Sequence, residues 1–280
     1  MAGLSLENAN KKLEKVTTVQ ELVDILQEIS VYSSGSPTVL YSGMSSRSEK
    51  EVLETCRSDD TVRMLDKTVA AKFLNHTENA VLVNALDRIF SQNDPGFDFY
   101  EAVKDKNSPL CKFLFGTGEN NGWNIVSRRF VEETKGEVVV LTGEKASSDR
   151  IFFQTEWPVV KKNKNIAMIN GVESESFISR IEPMTTSDLC VKHFQNETAI
   201  RIKAVSDLGI RAIGLSLGQI SVLSAEENSD RTVVAKNKEG RTGAAREREG
   251  DAIQQRKPEQ TKKDMSLAAV LRDKIAKKKV

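Results

Sequence analysis

The sequence predicts an α/β protein in which a helical N-terminal subdomain packs on a small, mostly parallel four-stranded α/β subdomain. Three observations carry that prediction. Apolar residues recur at helical spacing through the first hundred positions. Short β-branched runs bounded by glycine or proline become frequent after Gly122. From Ala225 onward the chain is rich in charged residues, Gln and Gly, and too poor in bulky apolar residues to offset the entropy of ordering. The expected organisation is a helical subdomain over 1–122 and an α/β subdomain over 123–224. A basic, largely disordered tail over 225–280 follows, with a short C-terminal helix in MSLAAVLRDKI.

In VQELVDILQEI, Leu22, Ile25, Leu26 and Ile29 share one helix face. A turn over Ser33–Pro37 leads into the apolar run TVLYSG. The serines opening SSRSEKEVLETCRSDD suit a helix N-cap. Met64, Leu65, Val69 and Phe73 predict a helix over Thr61–Leu74, and another spans Glu78–Phe90 before the Asn93-Asp94-Pro95-Gly96 break. A helix over Trp123–Thr134 precedes GEVVVLTG, the first of four expected strands. FFQTEWPVV, stopped by Pro158 and KKNKN, is the second, NIAMI the third and IRAIGLSL the fourth. A helix over Glu197–Asp207 joins the last two.

A chain of 280 residues, 39% of them hydrophobic, can bury a sizeable core. No stretch approaches the roughly 18 apolar residues of a membrane span. The opening MAGLSLENANKKLEKV has neither the basic n-region nor the apolar run of a secretory signal, so a cytoplasmic location is expected. Cys56, Cys111 and Cys190 are widely spaced and form no C-x-x-C, which argues against a disulfide framework and a zinc site. The tail carries 15 Lys+Arg against 10 Asp+Glu, whereas the preceding 224 residues carry 26 against 30. The tail's charges are mixed and lack interleaved aromatics, so nucleic acid is not the expected partner. It suits a solubilising appendage, or a segment that docks a protein partner, an inhibitor or an anionic membrane.

Three features carry chemistry. Trp123, Ser127 and Arg128 lie within about two turns of one helix, with Trp123 and Ser127 on one face. Such a set holds a flat heterocycle and a phosphate, or serves as a core anchor with solvated arginines. Glu156 interrupts an apolar run beside Trp157, where a carboxylate is costly to bury unless paired or used. An edge-strand glutamate facing water is the alternative. Tyr41-Ser42-Gly43-Met44-Ser45-Ser46-Arg47 offers hydroxyls, a flexible backbone and a cation ahead of a helix N-terminus. Neither a P-loop nor a G-x-G-x-x-G fingerprint occurs, and His76 and His193 stand apart from any ligand-like cluster.

Together these segments resemble the ADP-ribosyl cyclase family of NAD glycohydrolases and cyclases, with its related bacterial toxin domains. GWNIVSRRFVEETKGEVVVLTG is similar to the family's Trp-x-x-x-Ser-Arg-Arg-Phe-x-Glu helix and following strand, and FFQTEWPVV to the segment carrying the catalytic glutamate. IAMING and the stretch from Ser187 to Leu217 resemble the later strands and closing helix. VLYSG resembles a Leu-Trp-Ser segment, with Tyr41 at the aromatic position and Ser42 at the serine. MLDKT places Asp66 at a glutamate that tunes cyclisation against hydrolysis. The resemblance spans about residues 20 to 222. Gly43 stands where the family has a phosphate-binding arginine, and Arg47 or Arg128 is the expected substitute.

The resemblance implies a metal-independent enzyme, its active site between the two subdomains, that takes NAD as substrate rather than as a bound cofactor. Glu156 is the implied catalytic carboxylate, Trp123 the nicotinamide platform aided by Tyr41, and Asp66 the partner of the carboxamide. Ser42, Ser127, Arg47, Arg128 and Phe152 are the implied ribose and phosphate contacts. Hydrolysis to nicotinamide and ADP-ribose is the expected main outcome, with some cyclic ADP-ribose. The alternatives are an ADP-ribosyltransferase of toxin or effector type, and a non-catalytic nucleotide-binding protein. Because free NAD cleavage endangers its own cell, delivery as an effector is a further expectation for location.

Overall fold

The computed structural model describes residues 3–94, 96–184, 187–208 and 219–220. All of them belong to one unit, Met1–Thr232. The expected strand over 210–217 and the tail over 225–280 lie outside the described residues.

The first two helices are α1 (Leu6–Leu13) and α2 (Val19–Glu28). Helix α2 opens on a reciprocal capping box between Thr18 and Glu21, which satisfies N–H groups the helix cannot pair itself. It buries Leu22, Val23, Ile25 and Leu26. Strand β1 (Thr38–Ser42) leads to α3 (Arg47–Ser58), whose Ser46–Glu49 capping box bears out the serine-led start. Then come β2 (Arg63–Met64), a 3-10 turn over Leu65–Lys67 and α4 (Val69–Leu74). Helices α5 (Ala80–Phe90), α6 (Phe99–Lys104), α7 (Pro109–Phe115) and α8 (Gly122–Glu132) complete the helical layer. Beyond it lie β3 (Gly136–Thr142), a π-helical turn over Phe152–Glu156 and α9 (Trp157–Lys162). The hairpin of β4 (Ile166–Ile169) and β5 (Val172–Glu173), then α10 (Ser174–Ile181) and α11 (Ser187–Leu208), follow.

The fold is thus mixed α/β, a helical region beside a small, largely parallel sheet. Among the described residues the sheet has five strands in the order β2-β1-β3-β4-β5, all neighbours parallel except β4 and β5. It draws β1 and β2 from before Gly122 and the rest from after it. Alternate residues of β3 enter two cores: Val138 and Val140 face the helical layer, while Val139 and Leu141 pack with Val52, Leu53 and Cys56 of α3.

Two expected elements differ. Thr61–Leu74 is not one helix, because Arg63 and Met64 pair with Thr38 and Val39 of β1 and Thr68 caps a new helix at α4. FFQTEWPVV is helical rather than extended. A continuous apolar run has no period to separate buried strand from buried helix. Pro158, expected to stop a strand, instead follows the π-turn as the second residue of α9, within a helical run that begins at Ile151.

Asn170 and Gly171, both at positive φ, make the tight turn between β4 and β5. The Asn170 side chain accepts from Val140 N at 2.8 Å and donates to the buried Glu197 of α11 at 2.5 Å, and its carbonyl accepts from Arg201 at 2.7 Å. Asn170→Ala leaves the buried Val140 N–H unpaired and takes one donor from Glu197, which keeps Arg180 at 3.1 Å, and lowers stability by about 1–3 kcal/mol, read from urea denaturation. A loss below about 0.5 kcal/mol, as at an ordinary surface position, contradicts this account.

Candidate functional site

Strands β1 and β3 end level, with Ser42 registered against Thr142. The chain leaves β1 toward β2 on one side and later adds β3 on the other, so this pair is where the strand order reverses. Open α/β sheets place ligands outside the carboxyl ends of strands at such a point.

The two loops there are locked together. Gly143 N donates to the Ser42 carbonyl at 2.8 Å and Lys145 N to the Gly43 carbonyl at 3.1 Å. The Glu49 carboxylate accepts from the backbone N–H groups of Ser45 at 2.5 Å, Ser46 at 2.7 Å and Glu144 at 2.8 Å. Burial alone raises its pKa, but those donors outweigh it and hold the carboxyl below its ordinary value. Gly43 sits at φ +67°, and a Cβ there would lie 2.0 Å from the Ala146 nitrogen. The close approach of the loops therefore excludes an arginine from this position.

Beside these loops lies a cleft of about 970 Å³. Tyr41, Ser42 and Asp66 line it from the β1–β2 side. Trp123, Ser127, Phe152 and Glu156 line it from α8 and the π-turn. Seven of the nine residues singled out from sequence thus meet in one place. Arg47 and Arg128 do not. Arg47, at the start of α3, pairs with Glu51 at 2.8 Å and is 94% exposed. Arg128 is one position past Ser127, about 100° around the helix, and lines a separate cavity with Glu132 and Gln154.

Glu156 is the buried carboxylate of the cleft. The Trp157 N–H bonds back to the Phe152 carbonyl, five residues earlier, which defines the π-turn. The turn is anchored below by Trp157 against Phe194, with ring centroids 5.1 Å apart, and above by Thr155, whose hydroxyl donates to Asn124 of α8. Asn124 is itself fixed by donating to the carbonyls of Thr117 at 2.9 Å and Gly118 at 2.7 Å. Burial pushes the Glu156 carboxyl up to about 7, and the Asp66 charge adds to this, while a hydrogen bond from Ser127 pulls the other way.

Sequence reasoning missed Arg57. Its Nε donates to Asp66 at 2.7 Å and its Nη2 to the Tyr41 hydroxyl at 3.3 Å, and that hydroxyl donates to Asp66 at 2.8 Å. Burial first, then the Asp66 charge, raises the Tyr41 pKa, so the phenol stays protonated as a donor. Nothing in the local sequence signals this tertiary contact, since Arg57 looks like any basic residue in a helix's last turn. Asn124 and Thr155 were likewise not singled out.

Among the described residues no group of three or more His, Cys, Asp or Glu side chains is placed to hold a metal ion, and no helix is long and apolar enough to cross a membrane. Comparison with protein-family models, with curated proteins and with solved structures gave no match.

Because Glu156 binds its proton more tightly in the native state than in the unfolded chain, its contribution to stability is complete below about pH 4.5. It declines as the pH rises to about 7 and is absent above that. Glu156→Gln is neutral at every pH. Its stability relative to wild type therefore rises between pH 5 and pH 8.5, by about 2–3 kcal/mol in urea denaturation. A difference independent of pH contradicts the raised pKa.

Proposed function

We propose that this protein is an NAD glycohydrolase of the ADP-ribosyl cyclase type, cleaving the nicotinamide–ribose bond. The observation that carries the reading is Glu156, a buried carboxylate poised near neutrality in the same cleft as Trp123 and Ser127.

Nicotinamide in NAD is a cationic leaving group. When its bond to the ribose C1′ breaks, the electron pair leaves with the pyridine nitrogen and positive charge develops on C1′ and the ring oxygen. The ionised Glu156 carboxylate stabilises that charge in a site screened from bulk water. Ser127, on the same helix face as Trp123, orients the carboxylate. Trp123 supplies a flat face for the pyridinium. Asp66, held by Arg57 and Tyr41, presents a fixed acceptor for the carboxamide N–H. Water attacks C1′ from the vacated side, the proton it loses passes to Glu156 or solvent, and the products are nicotinamide and ADP-ribose.

Purified protein incubated with NAD should release nicotinamide and ADP-ribose, and Glu156→Gln should be slower by about 10³-fold. Equal turnover by the two proteins removes Glu156 from the chemistry. Transfer of labelled ADP-ribose onto an added acceptor, in place of its release, assigns the same bond cleavage to a transferase. Binding of NAD without cleavage by either protein leaves a nucleotide-binding site.

A further inference from the structure

The cleft is electrically polarised. Its less exposed lining holds the carboxylates Glu156 and Asp66, whereas its exposed rim carries Lys104, Lys106, Lys112 and Arg150. Lys104 is engaged by Glu101 at 2.7 Å. Lys106, Lys112 and Arg150 have no ion-pair partner within 4.0 Å among the described residues. The rim's one carboxylate, Asp149, accepts from the Ser147 hydroxyl and lies within the influence of both Arg150 and Lys106. Three free cations against one carboxylate make the mouth positive, although the first 224 residues carry more acidic than basic side chains. The rim also presents an aromatic face. Phe115, at the end of α7, lines the cleft at 41% exposure, with His76 packed edge-on at 5.9 Å.

We propose that the rim formed by Lys106, Lys112 and Arg150, with Phe115 beside it, binds the nucleoside diphosphate portion of the substrate, the pyrophosphate on the cations and the base on the ring. This rests on the reading of the cleft as an NAD-cleaving site and extends it to residues that reading does not use. A zwitterionic dinucleotide then enters in a single orientation, cationic head toward Glu156 and anionic linkage at the rim. The opposite orientation places the neutral adenine beside Glu156, where the carboxylate gains no opposite charge, and the pyridinium among the rim cations, where it is repelled. The cations also replace the charge that Gly43 cannot carry. Being exposed, they hold phosphate through screened attraction, so binding weakens as salt rises.

The test is calorimetric binding of ADP to wild type and to a Lys106→Gln, Lys112→Gln, Arg150→Gln triple variant at 50 and 300 mM salt. Beside it, KM for NAD is compared with KM for nicotinamide riboside, which has no phosphate. The expected result is ADP binding at least tenfold weaker in the variant, a smaller salt dependence, and about a tenfold rise in the KM for NAD relative to that for the riboside. Phe115→Leu should weaken ADP while leaving inorganic pyrophosphate binding unchanged. ADP binding that is unaffected by the triple substitution, or a KM rise equal for both substrates, overturns the proposal. An ADP site that responds as expected in a protein that does not cleave NAD refutes the glycohydrolase reading alone.

Discussion

The parallel pairing of β1 with β3 is the constraint on which the site rests. Five registered residue pairs, Thr38 with Val138 through Ser42 with Thr142, bring two strands nearly a hundred residues apart to one level. Their loops must then share a narrow space. Gly43 accepts a left-handed backbone, and the Glu49 carboxylate collects three backbone donors from both loops. Without that lock the N–H groups of Ser45, Ser46 and Glu144 lose the acceptor that pairs them, and both walls of the cleft lose their reference.

A second constraint follows from the first. Glu156 occupies a position where ionisation is unfavourable, and the protein holds it there by geometry rather than by an opposing cation. Arg57, the cation that holds Asp66, is committed to Asp66 and Tyr41. That division leaves two carboxylates with different duties. Asp66 is paired and fixed as an acceptor, whereas Glu156 is near its titration point with only the Ser127 hydroxyl to stabilise the charged form.

Much of this was legible in the sequence where the signal was local and periodic. The apolar face of α2, the serine-led start of α3 and the glycine-bounded β3 all appear where expected. The i,i+4 spacing put Trp123 and Ser127 on one helix face, both line the cleft, and the same helical phase explains why Arg128 is absent from it. What was not legible depends on tertiary packing. FFQTEWPVV has no period, so its π-turn is decided by the aromatic cluster beneath Trp157 and by the Thr155–Asn124 bond. Arg57 meets Asp66 because α3 and the 3-10 turn are brought together by β1 and β2, which no short window of sequence reveals. The short β2 itself is two residues long and was absorbed into an apparent helix.

The central claim is that ionised Glu156 performs the chemistry of NAD cleavage, and the pH dependence of kcat/KM for nicotinamide release tests it most directly. The account predicts a rate that rises with pH and reaches half its maximum near pH 7, where the free enzyme's Glu156 loses its proton. Replacing Ser127 by alanine removes the hydrogen bond that favours the ionised form, and the rising limb should move to higher pH. A profile flat from pH 5 to pH 9, or a limb that ignores the Ser127 substitution, would contradict it.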